Sequence, residues 1–332
     1  QFDHVGPQDP GVENTALDGT GDPTSIDLSA YLTATDYDGD TVTGAAANKF
    51  TLTIHDDIPE EDATATPITI VVDESGLNSS IEASDESDGN PDNAADTAGT
   101  SDEDSSTAAG NASVATLFDL GADEREDGNA GQVSYGFVTD VSALDALNLT
   151  SQGDAVSWSS DGQTLTAMAD GRTVMTVDIT AATGAWTADL DDQFDHVGPQ
   201  DPGVENTALD GTGDPTSIDL SAYLTATDYD GDTVSGVSAG QFTVTVVDDV
   251  PVIGTAQDSI LGNADGNTLT ADLGISVGAD EDIQSINLLL TDGDPVLAKV
   301  SDGADGYKDQ QMTSGEVPLV WVDNGNGSFS AV

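Results

Sequence analysis

The sequence predicts an all-β protein built from tandem antiparallel β-sandwich domains. Phe50, Leu52 and Ile54 alternate with polar residues, and Phe242 and Val244 begin a matching run in the second half of the chain. A period of two is typical of strands with one buried face. Helical periodicity is almost absent, and strands do not alternate with helices as they would around a parallel sheet. Short strands at turn-limited spacing therefore favour an antiparallel sandwich.

A long internal repeat organises the chain. Residues 1–42 recur letter for letter at 193–234, and the two copies stay in register beyond that block. The run KFTLTIHDDIP ends at Pro59, and QFTVTVVDDVP ends at Pro251. Identity over so long a block indicates recent duplication, as in long tandem arrays.

The repeat unit runs from one Asp-Asp-X-Pro motif to the next. Residues 60–251 then form one complete β-sandwich repeat, residues 1–59 the C-terminal part of a repeat, and residues 252–332 the N-terminal part of the next. The sequence Gly-Ala-Asp-Glu at 121–124 recurs at 278–281 and supports this register. We expect the half-repeat at 1–59 to be completed by the tail half of a preceding copy, through chain continuity or through non-covalent strand complementation.

Two Asp-Gly turns predict hairpins inside the complete repeat. Val156 and Trp158 precede Asp161-Gly162, and Asp170-Gly171 leads into a strand predicted at 173–177.

Two further segments of the complete repeat are not predicted to be strands. A single helical turn is predicted at 143–147. The acidic segment 75–112 contains only Leu77 and Ile81 as large apolar residues. Such a composition cannot form a core, so this segment is predicted to be a surface loop or disordered unless ions hold it in place.

The charge balance excludes whole classes of partner. The chain has 63 Asp and Glu against five Lys and Arg, a formal net charge of −58. Five cations cannot form the basic face that nucleic acid requires, and an anionic membrane surface is disfavoured for the same reason. Two carboxylates at about 4 Å repel by roughly 4 kcal/mol at an effective dielectric near 20, so a compact fold requires counter-ions. Halophilic acidity is the alternative explanation, but it does not account for the motifs below.

Cysteine is absent, which rules out disulfides and thiolate metal sites. For a secreted chain this leaves bound metal ions as the obvious substitute for disulfides. No apolar run approaches the ~20 residues of a membrane-spanning helix.

The motif Asp-Tyr-Asp-Gly-Asp occurs once in each copy and indicates calcium. Calcium takes six to eight oxygen ligands at about 2.3–2.6 Å, and alternating Asp residues on a tight turn can direct several carboxylates at one point. The Gly permits the positive φ that such a turn needs. The alternative is an Asp-Gly turn with solvated carboxylates. The candidate ligands are Asp36, Asp38 and Asp40 and, in the second copy, Asp228, Asp230 and Asp232.

The Asp-Asp-X-Pro motif follows an alternating strand in each copy, as Asp56-Asp57 and Asp248-Asp249. Two adjacent carboxylates at a domain exit suit a calcium ion held between successive domains, and a polar linker is the alternative. Further acidic clusters have weaker spacing and are as readily solvated as liganded: Asp73, Glu74, Asp123, Glu124, Asp280 and Glu281.

No catalytic constellation stands out. His4 and His196 are the same position in the two copies, which leaves His55 as the only other histidine. The nucleophile, metalloprotease and phosphate-binding motifs are absent, and no apolar surroundings indicate a carboxylate pair tuned for glycoside cleavage. We therefore expect a protein that is not an enzyme, in which His196 has a structural role near a sandwich corner.

The motifs in combination resemble a known family. The runs DITAATGAWTADLDDQFDHVG, YLTATDYDGDTV, FTVTVVDDVPV and VVDESGL look like the repeat domains of giant RTX adhesins secreted by the type I pathway. The resemblance covers most of the chain. It departs in two places: no GGxGxDxxx nonapeptide is present, and His4 and His196 are followed by Val rather than Pro.

The resemblance implies immunoglobulin- or cadherin-like sandwiches joined by short calcium-binding linkers. It also implies an extracellular role as an extender that holds a binding tip away from a bacterial cell, with neighbouring repeats as partners and Ca²⁺ as cofactor. No ligand-binding insertion is recognisable in this segment. The competing hypothesis is a self-assembling extracellular matrix or surface-layer filament, which shares every sequence feature named above.

Overall fold

A computed structural model describes residues 4–5, 14–77, 87–90, 103–107, 111–123, 133–198, 205–229, 231–255, 270, 273–280, 290–301, 307–324 and 329–332. Within these ranges the chain consists mostly of short strands, and every helix is a 3-10 turn of three to six residues. The all-β prediction is confirmed.

The strands follow one another along the chain in short steps. The first part of the chain contains β1 (Ile26–Asp27), β2 (Thr33–Thr35), β3 (Thr41–Thr43), β4 (Thr51–Leu52) and β5 (Glu60–Glu61). The central part contains β6 (Ile68–Asp73), β7 (Glu103–Ser105), β8 (Phe118–Asp119), β9 (Ser134–Phe137), β10 (Thr150–Ser151), β11 (Asp154–Ala155), β12 (Ser157–Ser160), β13 (Thr164–Ala169), β14 (Arg172–Ile179), β15 (Trp186–Leu190), β16 (Ile218–Asp219), β17 (Leu224–Thr227), β18 (Thr233–Ser235) and β19 (Phe242–Val247). The last part contains β20 (Val252–Ile253), β21 (Ile275–Ser276), β22 (Leu297–Ser301), β23 (Tyr307–Gln311), β24 (Thr313–Ser314), β25 (Val317–Pro318), β26 (Trp321–Asp323) and β27 (Phe329–Ala331).

The 3-10 helices lie between strands, at Ser29–Tyr31, Glu74–Gly76, Val114–Leu117, Gly121–Asp123, Ser142–Leu147, Ser221–Tyr223 and Gly278–Asp280. The turn at Ser142–Leu147 matches the helical turn predicted at 143–147.

The largest sheet has the order β12-β13-β14-β15-β7, with all neighbours antiparallel. The Asp161-Gly162 and Asp170-Gly171 turns connect β12 to β13 and β13 to β14, so both predicted hairpins are confirmed. Strand β14 is longer than predicted because its apolar residues continue to Ile179, which pairs with Trp186 of β15.

Two smaller sheets join segments that are distant in sequence. In the sheet β16-β19-β6, strand β19 pairs in parallel with β6 over six residues, from Phe242–Ile68 to Val247–Asp73. In the sheet β18-β17-β9, strand β17 pairs with β9. The end of the segment 60–251 is therefore bonded to its beginning.

One buried core links these sheets. It is formed by the inward faces of the strands, and its largest fully buried side chains include Trp186, Phe194 and Phe242. Trp186 packs edge-on against Phe242 with ring centroids 6.1 Å apart, and its Nε1 donates to the carbonyl of Ala112 at 2.9 Å. The indole is thereby both buried and hydrogen-bonded, as a core Trp requires.

The acidic segment 75–112 lies largely outside the described residues, and its described parts are not all loop. Residues 103–105 form β7, which extends the five-stranded sheet by pairing with β15. Ser87 donates from its backbone to Asp192, whose carboxylate also pairs with the guanidinium of Arg172. Asn90 donates to Asp249. Residues 103–105 are thus held by backbone pairing, and Ser87 and Asn90 by buried polar contacts. The composition of the segment alone predicts a loop or disorder.

The chain divides into two compact units, residues 1–281 and 282–332. The described part of the second unit contains three antiparallel hairpins, β22–β23, β24–β25 and β26–β27. Tyr307, Val317 and Leu297 are exposed in it.

Candidate metal centres

The Asp-Tyr-Asp-Gly-Asp motif folds as the same turn in both copies. In the first copy, the carboxylate of Asp36 accepts from the backbone N–H groups of Gly39 at 3.1 Å and Asp40 at 2.8 Å. In the second, Asp228 accepts from the equivalent residues at the same two distances. The glycine has a φ of 102° in one copy and 105° in the other, as the motif predicts. The turn is thus encoded locally.

The surroundings of this turn differ between the copies. One ligand oxygen each of Asp36, Asp38 and Asp40 lies within 4.8 Å of the others, and all three residues are exposed. In the second copy Asp228 and Asp232 are buried, whereas Asp230 lies outside the described residues. Hydrogen bonding to Asp38 and to backbone N–H groups lowers the pKa of Asp36, which keeps a ligand oxygen ionised.

In the Asp-Asp-X-Pro motif, the second Asp caps the Gly-Ala-Asp turn of the sequence that follows. Asp57 accepts from the backbone N–H of Ala122 at 2.8 Å, and Asp249 accepts from that of Ala279 at 3.0 Å. The preceding glycines, Gly121 and Gly278, have φ values of 65° and 72°. A Cβ at either glycine would collide with the Asp carboxylate. Both Asp-Asp-X-Pro motifs therefore make the same contact, which is called a joint below.

The second of these joints is buried. Asp249 is 2% exposed, and its Oδ2 also accepts from the backbone of Asn90 at 2.6 Å. Its Oδ1 is buried without a hydrogen-bond partner among the described atoms. Burial raises the pKa of Asp249 to about 6, the two N–H donors oppose this, and the charges of Asp73 and Asp248 add to it. A cation at Oδ1 would relieve that cost.

The first Asp of the motif takes different partners from the second. Asp248 accepts from the side-chain amide of Asn206 at 2.6 Å and lies beside His196. In the first copy, Asp56 accepts from Asn14 at 2.8 Å and lies 2.9 Å from Nδ1 of His4. The two adjacent carboxylates of each motif therefore belong to two different clusters.

Glu74 joins His196 and Asp248 in a cluster. One ligand atom of each of the three residues lies within 4.8 Å of the others, and His196 Nε2 is 3.3 Å from Glu74 Oε1. Burial raises the pKa of Glu74 to about 7, while His196 and the N–H of Phe194 oppose that rise. Burial lowers the pKa of His196, but the carboxylates of Glu74 and Asp248 outweigh it, and the net change is upward.

The remaining predicted ligands are distributed as follows. Asp73 caps the 3-10 turn that contains Glu74, accepting from the backbone of Ser75 at 3.0 Å. Asp280 lies at the end of the turn capped by Asp249, and burial together with Asp248 raises its pKa. Glu124, Glu281 and the side chain of Asp123 lie outside what the structure describes.

Two kinds of residue at these centres are not identified as neighbours of the acidic motifs by the sequence alone. The sequence predicts a structural role for His196, and the structure adds that it faces two carboxylates; its identical position in both copies was the available signal. Asn90 and Asn206 are uncharged, and they lie far in sequence from the Asp residues that they contact.

The chain matches no family model, no curated protein and no solved structure. In the described part of the chain, none of the helices is long and apolar enough to cross a bilayer.

Proposed function

We propose that this chain is a stretch of calcium-rigidified extender repeats of a long bacterial cell-surface adhesin. In this proposal each repeat is an immunoglobulin- or cadherin-like β-sandwich, and the array holds a distal binding region away from the cell for attachment to surfaces or within biofilms.

The observation that carries the proposal is the repeated joint. The second Asp of each Asp-Asp-X-Pro motif caps the next Gly-Ala-Asp turn through a backbone N–H, at 2.8 Å in one linker and 3.0 Å in the other. A joint that recurs with the same residues gives each repeat a fixed connection to the next. Such fixed connections suit a spacer, because they keep an array of repeats extended and stiff.

Calcium fits the residues at these sites. The exposed turn brings three carboxylates within 4.8 Å of one another, and Asp249 presents a buried oxygen without a hydrogen-bond partner. Oxygen-only donor sets suit a hard cation. The residues that would hold calcium are those of the Asp-Tyr-Asp-Gly-Asp turns, with Asp57 and Asp249 at the joints. Each ion would cancel two of the chain's formal −58 charges.

Small-angle scattering in excess calcium tests the stiffening role. We expect the double variant Asp57→Asn, Asp249→Asn to fold, as near-UV circular dichroism would show, but to have a smaller average maximum dimension than the natural sequence. Asp210→Asn, at an exposed position away from both motifs, is the matched control. An unchanged maximum dimension in the double variant would remove the linker role.

Electron micrographs distinguish the spacer proposal from the filament hypothesis. Negative-stain images of the chain in calcium should show single particles if it is a spacer. Ordered fibres with a regular repeat would instead favour a self-assembling matrix or surface layer.

A further inference from the structure

Three segments of the repeat meet at the cluster of Glu74, His196 and Asp248. Glu74 follows β6 at the beginning of the repeat, His196 lies after β15, and Asp248 directly follows β19. Their ligand atoms lie within 4.8 Å of one another. The side chain of Glu74 is fully buried and that of His196 is 4% exposed.

These buried polar atoms are incompletely satisfied by the protein. Glu74 Oε2 has no hydrogen-bond partner among the described atoms, and neither ring nitrogen of His196 makes a contact with hydrogen-bond geometry. Buried polar atoms without partners are costly, and a bound ion is one of the recognised explanations for them.

Neighbouring residues hold the ligands in place. The backbone N–H of Phe194 donates to Glu74 Oε1 at 2.7 Å, and the amide of Asn206 donates to Asp248 Oδ2 at 2.6 Å. An isolated bridge to Leu209 fixes the backbone of His196. A carboxylate oriented by a hydrogen bond is the arrangement that surrounds metal sites in proteins.

The first copy contains the equivalents of two of these three ligands. His4 bridges to Leu17 and contacts Asp56, which Asn14 orients in the same way. Among the residues that the structure describes, no third ligand joins that pair. The same sequence thus presents two candidate ligands in one place and three in the other.

We propose that Glu74, His196 and Asp248 bind a zinc ion, separately from the calcium sites. The donor set is one imidazole nitrogen and two carboxylate oxygens, which is the ligand class of a three-residue zinc centre with one position left for water. Zinc ligands at about 2.0–2.2 Å from the metal lie roughly 3.5 Å apart, so small side-chain rotations would close the cluster. Calcium is disfavoured here because it needs six to eight oxygens and rarely takes imidazole.

The zinc ion would fasten the beginning, middle and end of one repeat. It acts inside the repeat, whereas the joints act between repeats. Binding of zinc is therefore independent of the extender role, and either proposal can fail while the other stands.

Isothermal titration of tag-free protein with zinc chloride, in excess calcium, tests the proposal. We expect one tight zinc site per chain. Because loss even of a residue that only orients a metal ligand costs about 10–100-fold in affinity, His196→Gln should weaken this site by at least about 100-fold. His4→Gln is the matched control and should leave the affinity within about threefold of the natural value.

The second measurement does not need the His196 variant to fold. In histidine-labelled nitrogen NMR of the natural chain and of His4→Gln, one equivalent of zinc should shift the imidazole signals of His196 and leave those of His4 in place. Absence of a tight site in excess calcium would overturn the proposal. So would an equal loss of affinity in the two His variants, or zinc-induced shifts confined to His4 or His55.

Discussion

Two stretches of identical sequence, residues 14–42 and 206–234, have the same local hydrogen bonds and very different burial. Asn14 and Asn206 donate to the equivalent Asp of each copy, Asp56 and Asp248. Asp36 and Asp228 close the equivalent turns. Leu32, however, is 41% exposed, whereas its copy Leu224 is completely buried. Turns and caps are therefore determined by the sequence nearby, and burial is determined by what the rest of the repeat places opposite.

The difference becomes larger where the copies leave the identical block. In the second copy, Phe242–Val247 forms a six-residue strand because it pairs in parallel with β6. In the first, strand structure is limited to Thr51–Leu52, which pairs only with β1 within the described residues. The alternating pattern is the same in both, so the partner strand decides whether the full strand forms.

The largest expected difference between the copies is at the aromatic residue that begins this strand. Phe242 is fully buried against Trp186, whereas Phe50 is 48% exposed. Phe242→Ala should lower the free energy of unfolding by about 3–5 kcal/mol, the usual cost of removing a core Phe. Phe50→Ala should lower it by only about 1–1.5 kcal/mol, since about half of the residue is exposed and its removal leaves no closed cavity.

Urea unfolding in excess calcium, followed by Trp fluorescence, measures both variants because Trp158 and Trp186 lie in the core. Equal losses for the two Phe variants would show that the first copy is packed as tightly as the second.

A smaller difference is expected at the acidic turn. Asp228 is buried and accepts two backbone N–H groups, so Asp228→Ala in chelator, which leaves both N–H groups without their acceptor, should cost about 1–3 kcal/mol. Asp36→Ala removes the same bonds from an exposed turn, where water replaces them, and its effect on the free energy of unfolding should be clearly smaller. The same fluorescence-detected titration checks this pair, and a larger loss for Asp36→Ala would contradict the assignment of burial.

The smallest difference is expected at the joints. Gly121→Ala and Gly278→Ala each place a Cβ against the capping carboxylate at a positive φ. Each should cost more than the about 1–2 kcal/mol of positive-φ strain alone, because the capping carboxylate must also move, and the excess should be similar at the two joints. Thermal melting monitored by circular dichroism measures them, with Gly153→Ala, where a Cβ meets open space at a positive φ, as the control for strain alone. Loss at only one joint would show that the two are not equivalent.

These contrasts also show what the sequence alone could predict. The Asp-Gly hairpins, the positive φ of the acidic turn and the all-β class depend on neighbouring residues, and they are confirmed. The parallel pairing of β6 with β19 could not be predicted, because it joins segments separated by more than 160 residues and leaves no local pattern. The cluster at His196 was missed for the same reason, since each of its ligands comes from a different segment.

Folding of this chain is expected to depend most on calcium, and differential scanning calorimetry tests that dependence most directly. Because ions that bind only the folded chain stabilise it by mass action, we expect chelation to lower the melting temperature by tens of degrees from its value in millimolar calcium. Molar sodium chloride added to the chelated protein should restore only the part of the melting temperature that is lost through unscreened charge repulsion. This comparison separates specific calcium binding from halophilic acidity. The same transition in chelator as in calcium, or full recovery by sodium chloride alone, would contradict calcium-linked folding.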